Sequence, residues 1–174
     1  MAEKILLKAR VAGIDFAPVI TSAAGLTTAV WEEQPLTLKD DEVSLTEAEA
    51  TESVVYSHEN DAPEDVDYTG AGVSAVGTFI KATFDQMAAL MGGDVTGADA
   101  TAIYAHPGSK TVLETAIRYR LKNGGAIIVP CAKGVVSWNS KLSADGLAKL
   151  PFKFKCLVQS GYNVDFAIQD TATA

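Results

Sequence analysis

Val112-Leu-Glu-Thr-Ala-Ile-Arg-Tyr-Arg-Leu-Lys-Asn-Gly-Gly-Ala-Ile-Ile-Val-Pro-Cys-Ala132 is the stretch on which the fold turns. Leu113, Thr115, Ile117, Tyr119 and Leu121 alternate with Glu114, Ala116, Arg118, Arg120 and Lys122. That period of two writes a strand with one apolar face and one wet face. Asn123-Gly-Gly125 supplies positive φ for a tight turn, so Ala126–Ala132 is expected to return antiparallel beside the first strand. Val135–Trp138 either extends that second strand or follows it.

Reading outward, Leu150–Val158 alternates Phe152, Phe154, Cys156 and Val158 against Lys153, Lys155 and Leu157, and is expected to form another strand. Upstream, Val73–Ala82 reads as a strand and Thr101–Tyr104 as a short one. Between them lies a helix: Thr83 and Gln86 fit a capping box, Asp85 suits the positive end of the dipole, Phe84, Met87, Leu90 and Met91 share a face, and Gly92-Gly93 stops the element. Val43–Tyr56 alternates apolar or small residues with polar ones and reads as one strand, with Glu47 and Glu49 on a common face. Ser57–Gly72 holds five carboxylates among Pro63, Gly70 and Gly72 and reads as an exposed acidic loop. Gly13–Ala29, rich in Ala, Thr and Ser with no clear period, reads as an extended arm or long loop. Ile5–Val11 alternates as a strand does, with a short helical turn as the alternative, and residues 171–174 read as a tail. The expected class is mainly β: an antiparallel sandwich or barrel with one short flanking helix at residues 84–91.

At 174 residues, 48% apolar and 21% charged, the chain is expected to form a single globular domain with a core of its own. The longest uncharged run, Phe16–Trp31, is 16 residues and contains Pro18 and Gly25, short of the ~20 apolar residues a spanning helix needs. Lys8, Arg10 and Asp15 interrupt the place where a secretory signal would carry its apolar segment. Charge is unevenly laid down. Residues 1–70 carry 4 Lys/Arg against 15 Asp/Glu and residues 71–174 carry 10 against 7, opposite net charges of −11 and +3. An overall charge of −8 argues against tight nucleic-acid binding, which needs several phosphate-neutralising side chains on one surface.

The motifs of catalysis and metal binding are searched for and not met. His58 and His106 have no partner at ligand spacing and read as exposed loop histidines. Pro107-Gly-Ser-Lys-Thr111 lacks the first glycine of a phosphate loop and has Ser109 between Gly108 and Lys110. Gly70-Ala-Gly72 has Ala75 where a dinucleotide fingerprint needs a third glycine, and no nucleophile elbow is present. Cys131 and Cys156 lie in apolar runs and read as buried thiols, not a reactive pair. The Glu59–Asp67 carboxylates lack the spacing and central glycine of a calcium loop.

The succession of an acidic strand Val43–Tyr56, a polar loop, Val73–Ala82, a helix ending Met91-Gly-Gly93, an Arg-bearing strand Ala116-Ile-Arg-Tyr-Arg120, a glycine turn, Ile128-Val-Pro130 with Ala132-Lys133, and Phe152–Val158 resembles the major tail tube proteins of tailed bacteriophages. Through them it resembles the tube proteins of contractile injection machines. The resemblance spans residues 36–160 and lies in layout. It implies a structural virion protein of the phage tail, made in the host bacterial cytoplasm, with six copies per ring and rings stacked into a hollow tube. DNA passes through that tube without specific binding. It further implies no catalysis, no cofactor and no membrane. The implied partners are other copies of the chain, tape-measure and tail-terminator proteins, and baseplate or tail-tip proteins. The Gly13–Leu38 segment, longer than a minimal member needs, becomes a candidate assembly arm. Another self-assembling structural protein, such as a capsid decoration or pilus-like subunit, is the alternative.

Two sets of residues follow as candidates. Glu47, Glu49 and Glu52 are candidate lumen-facing residues, because a tube that threads DNA works by repelling phosphate; the same glutamates also suit the wet face of an outer strand. Glu59, Asp61, Glu64, Asp65 and Asp67 on one side and Arg118, Arg120, Lys153 and Lys155 on the other are candidate inter-subunit residues, since a head-to-tail polymer brings unlike surfaces together. Pairing of the same charges inside one subunit is the competing reading. On the inter-subunit reading, reversing Arg118 and Arg120 to Glu slows assembly and leaves monomer melting unchanged.

Overall fold

The computed structural model describes residues 9–59, 61–70 and 72–169. Residues 5–8 of the first expected strand and the 171–174 tail lie outside them. The strands are β1 Val11–Ala17, β2 Glu32–Glu33, β3 Leu36–Thr37, β4 Ser44–Glu47, β5 Thr51–Tyr56, β6 Pro63–Thr69, β7 Val73–Ile80, β8 Asp94–Thr96, β9 Ile103–Ala105, β10 Leu113–Leu121, β11 Ala126–Val136, β12 Asn139–Ser140, β13 Ala148–Cys156 and β14 Ala167–Gln169. Two helices, α1 Gly25–Thr28 and α2 Phe84–Met91, and a 3-10 turn at Asp99–Thr101 complete the order.

The fold is mainly β and antiparallel. The main sheet runs β2-β1-β10-β11-β13-β7-β3, with β4 beside β7, β14 beside β11 and β12 beside β13. It curls on itself, as three phenylalanines demonstrate. Phe16 of β1, near one end of that order, meets Phe79 of β7, near the other, at 6.2 Å, and Phe154 of β13 at 5.7 Å, both edge to face. Inside the curl lie Ile14, Phe16, Val73, Ala75, Phe79, Ile117, Tyr119, Val129, Leu150, Phe152 and Phe154, closed at one end by Met87, Leu90 and Met91 of α2. Burying these side chains is the main force that holds the sheet in this shape.

The central hairpin forms as its alternation requires. Arg120 pairs with Ala126, the Gly124 N–H donates to the Leu121 carbonyl, and Gly124 takes the positive φ of 92° that the turn needs. Val135 and Val136 extend β11, whereas Trp138 lies beyond it. The register shifts between Thr115 and Ile117, opposite buried Pro130, which has no N–H to give the ladder. Ala116, outward by the alternation of β10, is buried on that side of the sheet in a second cluster with Ala17, Ile20, Ala126 and Ile128. Helix α2 carries its capping box: the Gln86 N–H donates to Thr83 Oγ1 at 3.2 Å and the Thr83 N–H to Gln86 Oε1 at 3.0 Å.

Four expectations are corrected. Gly13–Ala29 is not an arm throughout: its first five residues belong to β1 inside the sheet, paired with β10 from Val11↔Leu121 to Ala17↔Ala116. The alternation of Ile14 and Phe16 inward with Asp15 outward is too short, between Gly13 and Pro18, to stand out from sequence. Residues 18–31 then cover the outer face of β10 and β11 through Ile20, Leu26 and Trp31, with the unexpected turn of helix α1. Val43–Tyr56 is two strands in different sheets, β4 on β7 and β5 on β6. The acidic loop contains β6, because Val66 and Tyr68 alternate with Asp65 and Asp67 and pair with β5. The strand expected at Thr101–Tyr104 is shifted to β9, which pairs with β8.

Candidate functional site

Four groups of side chains bear on function. The first is a charge cluster on the outer face of β1 and β10. Asp15 pairs across the ladder with Arg118, and its side chain is only 3% exposed. Arg118 Nε donates to Asp15 Oδ2 at 2.8 Å and its Nη2 lies 2.6 Å from the same oxygen. Arg120 Nε is 3.1 Å from that oxygen, in an ion pair without hydrogen-bond alignment, and Arg120 Nη2 donates to Glu33. The Glu33 hydrogen bond is the main reason the Arg120 guanidinium is held above its usual pKa, with burial opposing. Arg118 also stacks on Trp31, 4.8 Å from the ring centre. Gly13 leaves the space in which the Arg120 guanidinium lies. Arg118 and Arg120 therefore pair inside the subunit, as the competing reading of their charge had it, and their reversal is expected to disturb the fold.

The second group is the β5–β6 hairpin. Paired residues share a face, so Glu52/Tyr68, Val54/Val66 and Tyr56/Pro63 form one side and Thr51/Thr69, Ser53/Asp67 and Val55/Asp65 the other. One side is largely apolar and aromatic, the other acidic. Tyr56 is 60% and Tyr68 67% exposed. Between residues 40 and 80 the sequence holds eleven carboxylates and no Lys or Arg. Glu59, Asp61, Glu64, Asp65 and Asp67 are all exposed on this hairpin, with Ser57 Oγ donating to Glu64 at 3.0 Å. Glu47, at the end of β4, and Glu49, between β4 and β5, are exposed at its root; Glu52 is exposed on β5. These three share no single strand, so the common face expected for Glu47 and Glu49 is lost where β4 ends.

The third group is basic. Lys153 and Lys155 point outward from β13; Lys155 is directly opposite Lys133 of β11, and Lys153 opposite Val135 and Val76. Like charges facing across a ladder repel. Lys133 answers with Glu114 at 3.3 Å, and Lys155 Nζ donates to Ser74 Oγ at 3.3 Å.

The fourth is a cleft that the sequence reading did not single out. Helix α2 presents Phe84 and Met87 one turn apart, Tyr104 of β9 donates its hydroxyl to the Gly92 carbonyl at 2.8 Å, and His106 and Trp138 complete the wall. Tyr104 lies 6.3 Å from Phe84 and 6.2 Å, edge on, from His106. The cleft holds about 430 Å³, and an adjoining hollow of about 190 Å³ is lined by Lys110, Thr111, Ser137 and Met91. Lys110 Nζ donates to Ser137 Oγ at 2.6 Å, and the His106 Nδ1–H to the Pro107 carbonyl at 2.7 Å. Its residues are scattered from 84 to 138, which no local pattern announces; in the structure Phe84 is half-exposed on an otherwise buried helix stripe.

For chemistry, the thiols of Cys131 and Cys156 are buried and burial pushes both up, Cys156 to about 11, away from the reactive thiolate. His58 and His106 are exposed. Among the described residues no three His, Cys, Asp or Glu side chains gather to hold a metal, and no helix is long and apolar enough to cross a membrane. Comparison with protein-family models and with curated proteins returns no match for this chain.

Proposed function

We propose that this chain is a structural subunit that assembles with copies of itself into stacked rings forming the hollow tail tube of a bacteriophage, through which DNA is delivered. One observation carries the reading: the β5–β6 hairpin has an apolar aromatic side and an acidic side, and it makes its ladder with itself in a sheet separate from the main one. A two-stranded ribbon is marginal alone in water and gains stability when a further surface covers it. Exposed tyrosines beside a polar rim are the composition of an association surface. The segment's excess of carboxylates supports a role against DNA as well. Glu47, Glu49 and Glu52, at and near the hairpin's root, give the bore an acidic lining that lets phosphates slide past. On this reading Lys153 and Lys155 contribute only at the exposed rim of contacts between subunits, Arg118 and Arg120 pair within their own subunit, and the tube ends meet tape-measure, terminator and tail-tip proteins. Negative-stain microscopy of the purified protein tests it: rings or tubes with an open bore are expected, while solid filaments or single subunits at all concentrations contradict it.

A further inference from the structure

We infer that the aromatic cleft formed by Phe84, Met87, Tyr104, His106 and Trp138 is the socket into which a second copy of the chain inserts its β5–β6 hairpin, led by Tyr56. The inference rests on the self-assembly reading and names the surfaces that meet. Three features favour this occupant. The hairpin offers an apolar side, Tyr56, Val54, Val66 and Tyr68, whose tyrosines are 60% and 67% exposed; aromatic side chains placed in an apolar hollow supply more binding than the same area of scattered contacts. The cleft is the apolar counterpart, with Trp138 48% and Phe84 42% exposed and a volume of about 430 Å³.

Charge agrees. The basic side chains among the lining residues of the cleft and its neighbouring hollow are His106 and Lys110, and no carboxylate lines either. The hairpin's turn carries Glu59 and Asp61 just beyond Tyr56, in a segment with no Lys or Arg between residues 40 and 80. Seating Tyr56 thus brings acidic side chains toward Lys110 and His106, which steers the approach. Reach agrees too: six residues of β5, at about 3.3 Å each, extend the tip roughly 20 Å from the hairpin's root. The other basic surface, around Lys133, Lys153 and Lys155, sets Val76 and Val135 opposite Lys153 and places Lys133 opposite Lys155, so its ladder neighbours offer no aromatic side chain.

The test uses the full-length chain. Tyr56→Cys protein mixed with Trp138→Cys protein under a mild oxidant is expected to give a covalent dimer that neither variant alone nor the wild type, with its two buried thiols, produces. Tyr56→Ser and Trp138→Ala are each expected to raise the concentration needed for assembly tenfold or more, with the Tyr56→Ser subunit melting as the wild type does. Lys153→Glu with Lys155→Glu is expected to change that concentration less than threefold. Tubes that form normally from Tyr56→Ser protein, or lose assembly only in the lysine variant, overturn the socket and leave the tube reading standing. A wild-type chain that stays monomeric at every concentration, together with no cross-link between the two cysteine variants, overturns both.

Discussion

Asp15 is the most informative single residue: a carboxylate almost sealed from water, with two guanidinium groups on one oxygen. Removing it leaves Arg118 and Arg120 facing each other without their shared partner. Because those side chains are 28% and 39% exposed and can reach solvent, Asp15→Ala is expected to cost about 2–3 kcal/mol, below the range for a fully buried pair. Urea unfolding measures it, and a loss under about 0.5 kcal/mol, typical of a surface substitution, contradicts it. Arg118→Glu with Arg120→Glu crowds new carboxylates onto Asp15 and Glu33, and is expected to abolish folding. Tyr119 poses the opposite case. Its hydroxyl is buried without a hydrogen-bond partner, and burial pushes its pKa well up. Tyr119→Phe is expected to be neutral or to stabilise by up to about 1 kcal/mol, and a clear loss in the same unfolding assay contradicts this. Cys156 adds a pH dependence. Its folded pKa of about 11, raised first by burial and then by Asp165, stands above the ordinary 9.0. The unfolded chain therefore loses its proton first, so the stabilisation is complete below pH 9.0 and drains away as pH rises to about 11. The melting temperature is expected to fall across that window, and less steeply in Cys156→Ala; an identical slope in the variant contradicts the assignment.

The hairpin and the curled sheet are separate structural units on one chain. Ala48 N–H donates to the Gly72 carbonyl at 3.0 Å, closing the root beside β4 and β7, and the hairpin residues beyond it belong to neither apolar core. Replacing residues 51–69 by a short Gly-Asn turn is accordingly expected to leave far-UV circular dichroism of the sheet and its melting temperature nearly unchanged while abolishing assembly; a large drop in melting temperature contradicts it. Which elements could be read in advance has a physical basis. β13 and α2 bury one face and expose the other, β10 alternates apolar with charged residues even though residues 18–31 cover part of its outer face, β11 is an apolar run behind a glycine turn, and the turn at Gly124 and the cap at Thr83 are local chemistry, so these elements survive in the sequence. β1 was missed because its outward residue, Asp15, is buried by an ion pair and a covering segment, which hides the wet face. β6 was missed because neither of its faces is buried in the subunit, so its carboxylates look like a loop's. The bulge at Pro130 and Cys131 lies in β11, where one extra residue brings Ala132 to the same inner side as Val129.

At the scale of the whole molecule, the uneven charge of the chain resolves into two parts with different fates. Asp15 and Glu33 of the acidic half meet Arg118 and Arg120 of the basic half inside the subunit, a pairing that counting charges along the sequence cannot reveal because 103 positions separate Asp15 from Arg118. Lys149 and Asp41 likewise meet, at 3.2 Å. The carboxylates of the hairpin have no Lys or Arg in their own segment, and they remain exposed. The cleft at the mouth of the curl, assembled from three distant elements, was not legible at all. Rings and tubes also demand that one subunit present complementary surfaces in a repeating direction, a property of the assembly that no single chain displays. Cryo-electron microscopy of the protein concentrated at low salt addresses that property directly. A stack of rings with an open bore lined by Glu47, Glu49 or Glu52, and hairpins crossing between copies, is the expected image; a field of single subunits, or a tube whose bore is lined by the Lys133, Lys153 and Lys155 face, contradicts it.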